Sequence, residues 1–337
     1  LNPPDHAGWP APRAAPRAVG HTDIQTRDPT RPWLRITVSE DGVFRLSADW
    51  LQSAGVDVGS IDPRTFCLTY EDEEQPIHVR GQQDGSFDET DELLFLGRYR
   101  RATTIHGERD HESEYGPANT YWLSWGAEPG PRFTERDVSP VHDYTPRGWY
   151  ATTAHFEQDR VFDVLAAAPD TLADRWFWQQ PGRWVQAVDV DRPGSGIFTG
   201  ELTALHQGTP YEARVTVALQ GRLGEAFGEH HTIVSFNNER LADDYWAGQT
   251  SHIVSASIPS TLLQTTNRVL LQSLADRIRQ DQLWFNWFRV EYRRLFHADF
   301  GYIDAATPAA PEGQRLTITG FADAEVLLFD QEGGFWL

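Results

Sequence analysis

The stretch WLRITVSEDGVFRLSADWLQSAG, residues 33–55, sets the fold class. Leu34, Ile36 and Val38 alternate with polar neighbours, and Phe44 and Leu46 do the same after SEDG, the period-2 pattern of half-buried strands. Asp41-Gly42 between them is the dipeptide favoured in a two-residue type I′ hairpin, so the two strands are expected to pair with each other. Ser47 then opens a short helix, ADWLQSA, as its N-cap, and Gly55 closes it at the C′ position. Further strand-like runs follow in TFCLTY (65–70), QPIHVR (75–80), DELLFLG (91–97) and ANTYWLSWG (118–126).

Past residue 141 the texture persists in DRWFW (174–178), ARVTVALQG (213–221), HTIVSFNN (231–238), RVLLQSL (268–274), LWFNWFRVEYR (283–293), QRLTITG (314–320) and AEVLLFD (324–330). Val215, Val217 and Leu219 share one face while Arg214, Thr216 and Gln220 share the other, as in a half-buried antiparallel strand. LWFNWFRVEYR carries aromatics on both faces, which predicts a central strand covered on both sides. Asn237-Asn238 supports a tight turn between strands, and IPSTLL (258–263) one helical turn. No long helical period occurs. The expectation is a mainly β chain in two domains. Residues 33–140 form a small β-rich N-terminal domain with one short helix. Residues 141–337 form an antiparallel β-sandwich, jelly-roll-like, that leads toward a catalytic domain absent from this sequence. Residues 1–32, with seven prolines and no apolar period, read as a flexible Pro-rich leader.

At 337 residues the length favours two domains, and 13 Trp, 18 Phe and 10 Tyr supply large core side chains. The formal charge of −20, from 49 acidic and 29 basic residues, excludes nucleic acid and polybasic membrane attachment as partnerships. No apolar run reaches the length of a membrane span, and the start carries no signal-peptide pattern. With no Met at its start, the chain reads as a mature or excised piece. Every basic residue is Arg. A GC-rich genome and a high-salt habitat both explain that bias; the second predicts a melting temperature that climbs steeply with KCl, and a flat response would remove it. The single cysteine, Cys67, excludes an intrachain disulfide and, inside a strand-like run, reads as a small buried hydrophobe.

Several clusters invite a site. QQDGSFDETDE (82–92) suggests a calcium loop through Asp84, Asp88 and Asp91, with Glu92 beside them. Placing Gly85 at loop position six puts Arg80 and Gln82 at positions one and three, so the EF-hand pattern fails. The loop is then an irregular calcium site or, the reading preferred, a solvated turn; no other cofactor is expected. His106 and His111 with their neighbouring carboxylates sit in a long loop without a helical frame for zinc. His230 and His231 are adjacent strand residues and point to opposite faces. Trp176, Phe177, Trp178, Trp184 and Trp246 form either a carbohydrate platform, with Trp178 and Trp246 as its ligand-binding indoles, or sandwich core. No Walker loop, dinucleotide fingerprint or nucleophile elbow occurs.

The phrases VSEDGVFRL, AGVDVGSIDPRTFCL, DGSFDETDELLFLG and NTYWLSWG, then DRWFW, WAGQTSHIVSASIPSTLLQTTNRVLL and LWFNWFRVEYRR, come in an order that resembles a known family. They are similar to the non-catalytic region that precedes the catalytic domain in gingipain-type cysteine peptidases, a family that includes the sortase of the type IX secretion system. The resemblance implies an extracellular or cell-surface setting and a partner in a downstream catalytic domain of the same polypeptide. It implies a peptidase as parent and no catalysis by this chain, because no position matches the family's catalytic His and Cys. The competing function is a carbohydrate-binding β-sandwich module.

Overall fold

The computed structural model describes residues 19–24, 31–102, 111–112, 118–135, 143–164, 175–178, 186–187, 194–222, 230–274, 276, 281–307, 314–322, 326–330 and 335–336. The described residues of 6–101, 115–142 and 321–337 form one compact unit, and those of 143–320 the body of the other. Both are built mainly of antiparallel strands.

In the first unit the strands are β1 (Val19–Ile24), β2 (Trp33–Val38), β3 (Gly42–Ser47), β4 (Cys67–Tyr70), β5 (Glu73–Gln75), β6 (Ile77–Arg80), β7 (Glu92–Gly97) and β8 (Asn119–Ser124). They form two sheets, ordered β1-β2-β8-β4-β5 and β3-β7-β6. β2 and β3 therefore do not pair with each other, contrary to the hairpin expected at Asp41-Gly42. A type I′ turn needs positive φ at both central residues, and Asp41 does not adopt it. Instead, Asp41 Oδ1 accepts the Tyr99 amide at 2.8 Å and ties the crossing to the residues just past β7. The chain passes from one sheet to the other, so Leu34, Ile36 and Val38 meet Phe44 and Leu46 across one core, all at most 2% exposed. The two-residue turn with both φ positive lies at Glu71-Asp72, joining β4 to β5.

Helix α1 (Ala48–Ser53) begins as expected, with Ser47 Oγ accepting the Trp50 amide at 3.3 Å, and it ends at Gly55, whose φ is +85°. It buries Ala48 and Leu51 against the same core. Part of the expected leader is strand: β1 supplies backbone partners to the otherwise open side of β2. Arg132 staples the unit, donating to the carbonyls of Pro63, Arg64, Phe66 and Gly130 at 2.9–3.1 Å. Strands Thr134–Glu135 and Phe335–Trp336 pair in parallel, and Phe329–Asp330 adds to the latter.

The second unit contains β9 (Trp149–Glu157), β10 (Gly194–Glu201), β11 (Glu212–Gly221), β12 (His230–Phe236), β13 (Glu239–Trp246), β14 (Ser251–Pro259), β15 (Thr266–Ser273) and β16 (Asp281–Leu295). One sheet runs β9-β16-β11-β14 and the other β10-β15-β12-β13. In chain order the eight strands lie 1-8-3-6 and 2-7-4-5, the interleaved Greek keys of a jelly roll. Asn237 and Asn238, both at positive φ, make the tight β12–β13 turn, and Ser260–Leu262 is the single helical turn expected in IPSTLL. QRLTITG is not a strand; it contributes single bridges at Leu316 and Thr319.

The longest strand, β16, is central, and one irregularity governs it. Ala218 pairs with Trp287 but Leu219 pairs with Phe285, which leaves Asn286 as an extra residue. With a side-chain period of two, an uninterrupted strand would send 283 and 285 to one face and 288, 290 and 292 to the other. The bulge re-phases the strand, so Leu283, Phe285, Phe288, Val290 and Tyr292 all enter one core with Val215, Val217, Leu219, Val234, Phe236, Val269 and Leu271. Phe198 stacks on Phe285 there, with ring planes 8° apart. Among the described residues, the second side of β16 is covered at one end, where Phe177 of a two-stranded ribbon stacks on Trp284.

Candidate functional site

The carboxylates singled out in the 82–92 loop serve their own turns. Asp84 Oδ1 accepts the Ser86 amide at 2.9 Å, and Asp88 Oδ1 accepts both the amide and the hydroxyl of Thr90 at 3.0 Å. Asp91 is 5% exposed and accepts the Asp88 amide at 3.1 Å. It lies against Gly81, at φ +82°, where a Cβ would run into its carboxylate. Glu92 pairs with Arg80 at 2.9 Å. Among the described residues, no group of three His, Cys, Asp or Glu side chains is placed to hold a metal ion. His106, Trp184 and the His111 side chain lie outside the described residues.

Trp178 and Trp246, the two indoles expected on a sugar platform, are 6% and 8% exposed and belong to the sandwich core. Trp178 packs on Phe198, Phe285 and Phe288. Trp246 stacks flat on His252 and donates its indole N–H to Thr232 Oγ1 at 3.0 Å. A platform on these residues is corrected to core: both lie on the inner side of their sheets, where a sandwich needs bulk. Cys67 is 1% exposed, and burial pushes its thiol up, so it is the inert hydrophobe that its strand suggested.

His230 and His231 do face opposite ways. His230 is fully buried beside Trp246, whereas His231 lies between two carboxylates, Nε2 to Asp243 at 2.8 Å and Nδ1 to Asp276 at 2.9 Å. The Tyr245 ring stacks on it and the Tyr245 hydroxyl donates to Asp276. Donating to both carboxylates at once requires the imidazolium form. The hydrogen bond from His231 holds the Asp243 carboxyl below its ordinary value. Partial desolvation works upward on Asp276, but the donors His231 and Tyr245 outweigh it, and it too is lowered.

The outer face of the β9-β16-β11-β14 sheet holds a groove of about 380 Å³. Register explains why it is open. Ala151 stands opposite Arg293, Thr153 opposite Glu291 and Ser257 opposite Arg214, so short side chains alternate with long ones across four strands. Arg293 forms one wall, its guanidinium 4.0 Å from the Trp149 ring centre and 4.5 Å from that of Tyr211. Such stacking holds the group in place at about 0.5–2 kcal/mol per contact. Arg214 and Glu291 are 3.9 Å apart and each more than half exposed, a weak pair in water. Further along the same face, Arg289 Nε donates to His155 Nδ1 at 2.9 Å. That leaves the His155 proton on Nε2, which donates to Glu157 at 2.8 Å. Sequence reading missed Trp149, Tyr211 and Arg293. The available signal was the run of charged residues at 289, 291 and 293 between apolar ones, which marks an outward face without saying that it is concave.

No protein-family model matches the chain, and no curated protein matches it. Solved structures do. Latent PorU from Porphyromonas gingivalis, crystallised as a dimer, superposes with a TM-score of 0.49 and 14% identity over 79% of this chain and 25% of that one. The ANX2 ectodomain from Arabidopsis thaliana gives a TM-score of 0.25 and 8% identity over 82% and 89% of the two chains. A β-porphyranase of glycoside hydrolase family 86 from Bacteroides plebeius gives 0.23 and 8% over 79% and 35%. The chain thus spans a quarter of the PorU chain. At these scores and identities none of the likenesses assigns a family, an activity or a ligand.

Proposed function

We propose that this chain is a non-catalytic accessory region of a secreted or cell-surface gingipain-like cysteine peptidase, where it positions or stabilises a downstream catalytic domain. The observation that supports this reading is where the family-like phrases fall. VSEDGVFRL covers the end of β2, the crossing between sheets and most of β3; NTYWLSWG contains β8; LWFNWFRVEYRR is the body of β16. These are the core-forming elements of both units, in unbroken chain order. A shared scaffold without the family's catalytic pair is what an accessory region would carry. The buried Cys67 is no substitute nucleophile, since reactive thiols need a lowered pKa and access.

The test is to express the full reading frame and, separately, the part beyond Leu337. The reading expects peptidase activity that depends on a His and a Cys beyond Leu337, and a melting temperature of the catalytic part that drops by several degrees when residues 1–337 are removed. A reading frame without a downstream peptidase, or peptide hydrolysis by residues 1–337 alone, ends it. The glycan-binding alternative loses the residues first assigned to it, because Trp178 and Trp246 are interior.

A further inference from the structure

Several of the jelly roll's described arginines are supplied with acceptors. Arg294 is 8% exposed and donates to Tyr150, Thr203, the His297 carbonyl and Asp299. Arg222 donates to Asp163 and Gln282. Arg289 donates to His155, and Arg240 to Asp243. Arg293 is half-buried and fixed between two aromatic rings, yet among the described residues its guanidinium meets no carboxylate and no hydrogen-bond acceptor. Stacking engages only the π faces of a guanidinium. The five N–H groups lie in its plane and point outward in the fork that matches a carboxylate. Orientation without an acceptor, in the wall of a groove, is the arrangement expected of a group waiting for a ligand.

The rest of the groove narrows the ligand class. Arg214 adds a second cation, which favours an anion even in a chain of formal charge −20. Glu212 and Glu291 face the same space, and Glu212 has no cationic partner among the described residues. A ligand bearing only negative charge would meet repulsion there. One bearing hydroxyls beside its carboxylate would donate to them. The remaining lining mixes the hydroxyls of Thr152, Thr153 and Ser257 with Ala151, Ala213 and the rings of Tyr211 and Tyr292, a surface suited to a sugar ring that carries both hydroxyls and apolar C–H faces. We propose that this groove binds a hydroxyl-rich carboxylate, the chemistry of a uronic-acid saccharide. The Arg293 fork takes the carboxylate, and Glu212 and Glu291 accept from hydroxyl groups. The site does not depend on the accessory reading above and can fail or stand without it.

The experiment is titration of the 337-residue chain, followed by calorimetry and by indole fluorescence, with three probes. These are trigalacturonic acid, its methyl ester, which keeps the hydroxyls and loses the charge, and the peptide acetyl-Ala-Ala with a free carboxylate. Saturable binding of trigalacturonic acid is expected, with the ester at least tenfold weaker and the peptide weaker still. Arg293→Gln should weaken trigalacturonic acid at least tenfold, while Arg240→Gln, on the other sheet, should leave it unchanged. Ala151→Phe, which fills the groove from its floor while leaving every charged residue in the sequence, should also abolish binding and decides the matter if Arg293→Gln does not fold. Absence of saturable binding, equal binding of acid and ester, or insensitivity to both groove variants overturns the site. A peptide that binds as well as the trisaccharide overturns the saccharide class.

Discussion

On its inner face β16 places Phe285, Phe288, Val290 and Tyr292 among the side chains of seven other strands, all within 6% of full burial. On its outer face the same strand presents Trp287, Arg289, Glu291 and Arg293, held by stacking on neighbouring rings and by the hydrogen bond from Arg289 to His155. The first set is interchangeable with any apolar residues of the same shape and volume. The second has geometry but little burial, so its residues contribute little stability and are free to serve a ligand. One strand thus divides into a structural face and a binding face, and the bulge at Asn286 keeps them apart.

That division can be broken at its source. Deleting Asn286 would set the two halves of β16 out of phase and send either 283 and 285 or 288, 290 and 292 to the solvent. The expected result is loss of cooperative thermal unfolding and of near-UV circular dichroism; a cooperative melt would show that the bulge is incidental. Phe288→Ala, at 0% exposure, should cost about 3–5 kcal/mol by urea denaturation. A smaller loss belongs at the covered end of the outer face. Asp163, 8% exposed, accepts from Trp284 Nε1 at 2.9 Å and Arg222 Nε at 2.6 Å, so Asp163→Ala should cost about 1–3 kcal/mol. Arg293→Gln should cost only about 1 kcal/mol, since it loses two partly exposed stacking contacts, on Trp149 and Tyr211, but no hydrogen bond. A loss as large as that of Phe288→Ala would mean that the outer face is structural as well.

The smallest effect concerns pH. Asp243 and Asp276 are held below the ordinary aspartate value of 3.8, so their contribution to stability is complete above that value and disappears as pH falls through their lowered folded values. Asp243→Asn with Asp276→Asn should flatten the acid limb of the melting-temperature profile below pH 3.8. An unchanged limb would show that the His231 clamp does not couple to folding.

Much of this could be read from the residues. Ser47 and Gly55 bound a helix, and Asn237-Asn238 makes a tight turn, because these signals act within a few residues of chain. The alternation of Val215, Val217 and Leu219 marked a buried face for the same reason. Asp41-Gly42 failed because its local preference for a hairpin lost to the gain from placing β2 and β3 on facing sheets. Trp178 and Trp246 could be identified as aromatic and strand-borne, but a strand pattern does not say which face looks inward. Arg293 was indistinguishable from its neighbour Arg294, although among the described residues one meets no acceptor and the other is supplied from four sides.

By itself, then, the sequence determined the strands, their turns and the single capped helix, since these follow from dihedral preference and the two-residue period. It also determined that the chain is acidic and that its only thiol lies in a strand. The tertiary structure decided which strands pair, which face of each is the inside, and that short side chains on three strands leave a groove beside a stacked guanidinium. Those outcomes depend on contacts between residues far apart in the chain, such as Trp149 and Leu295, 146 positions apart, and nothing local to either residue encodes them.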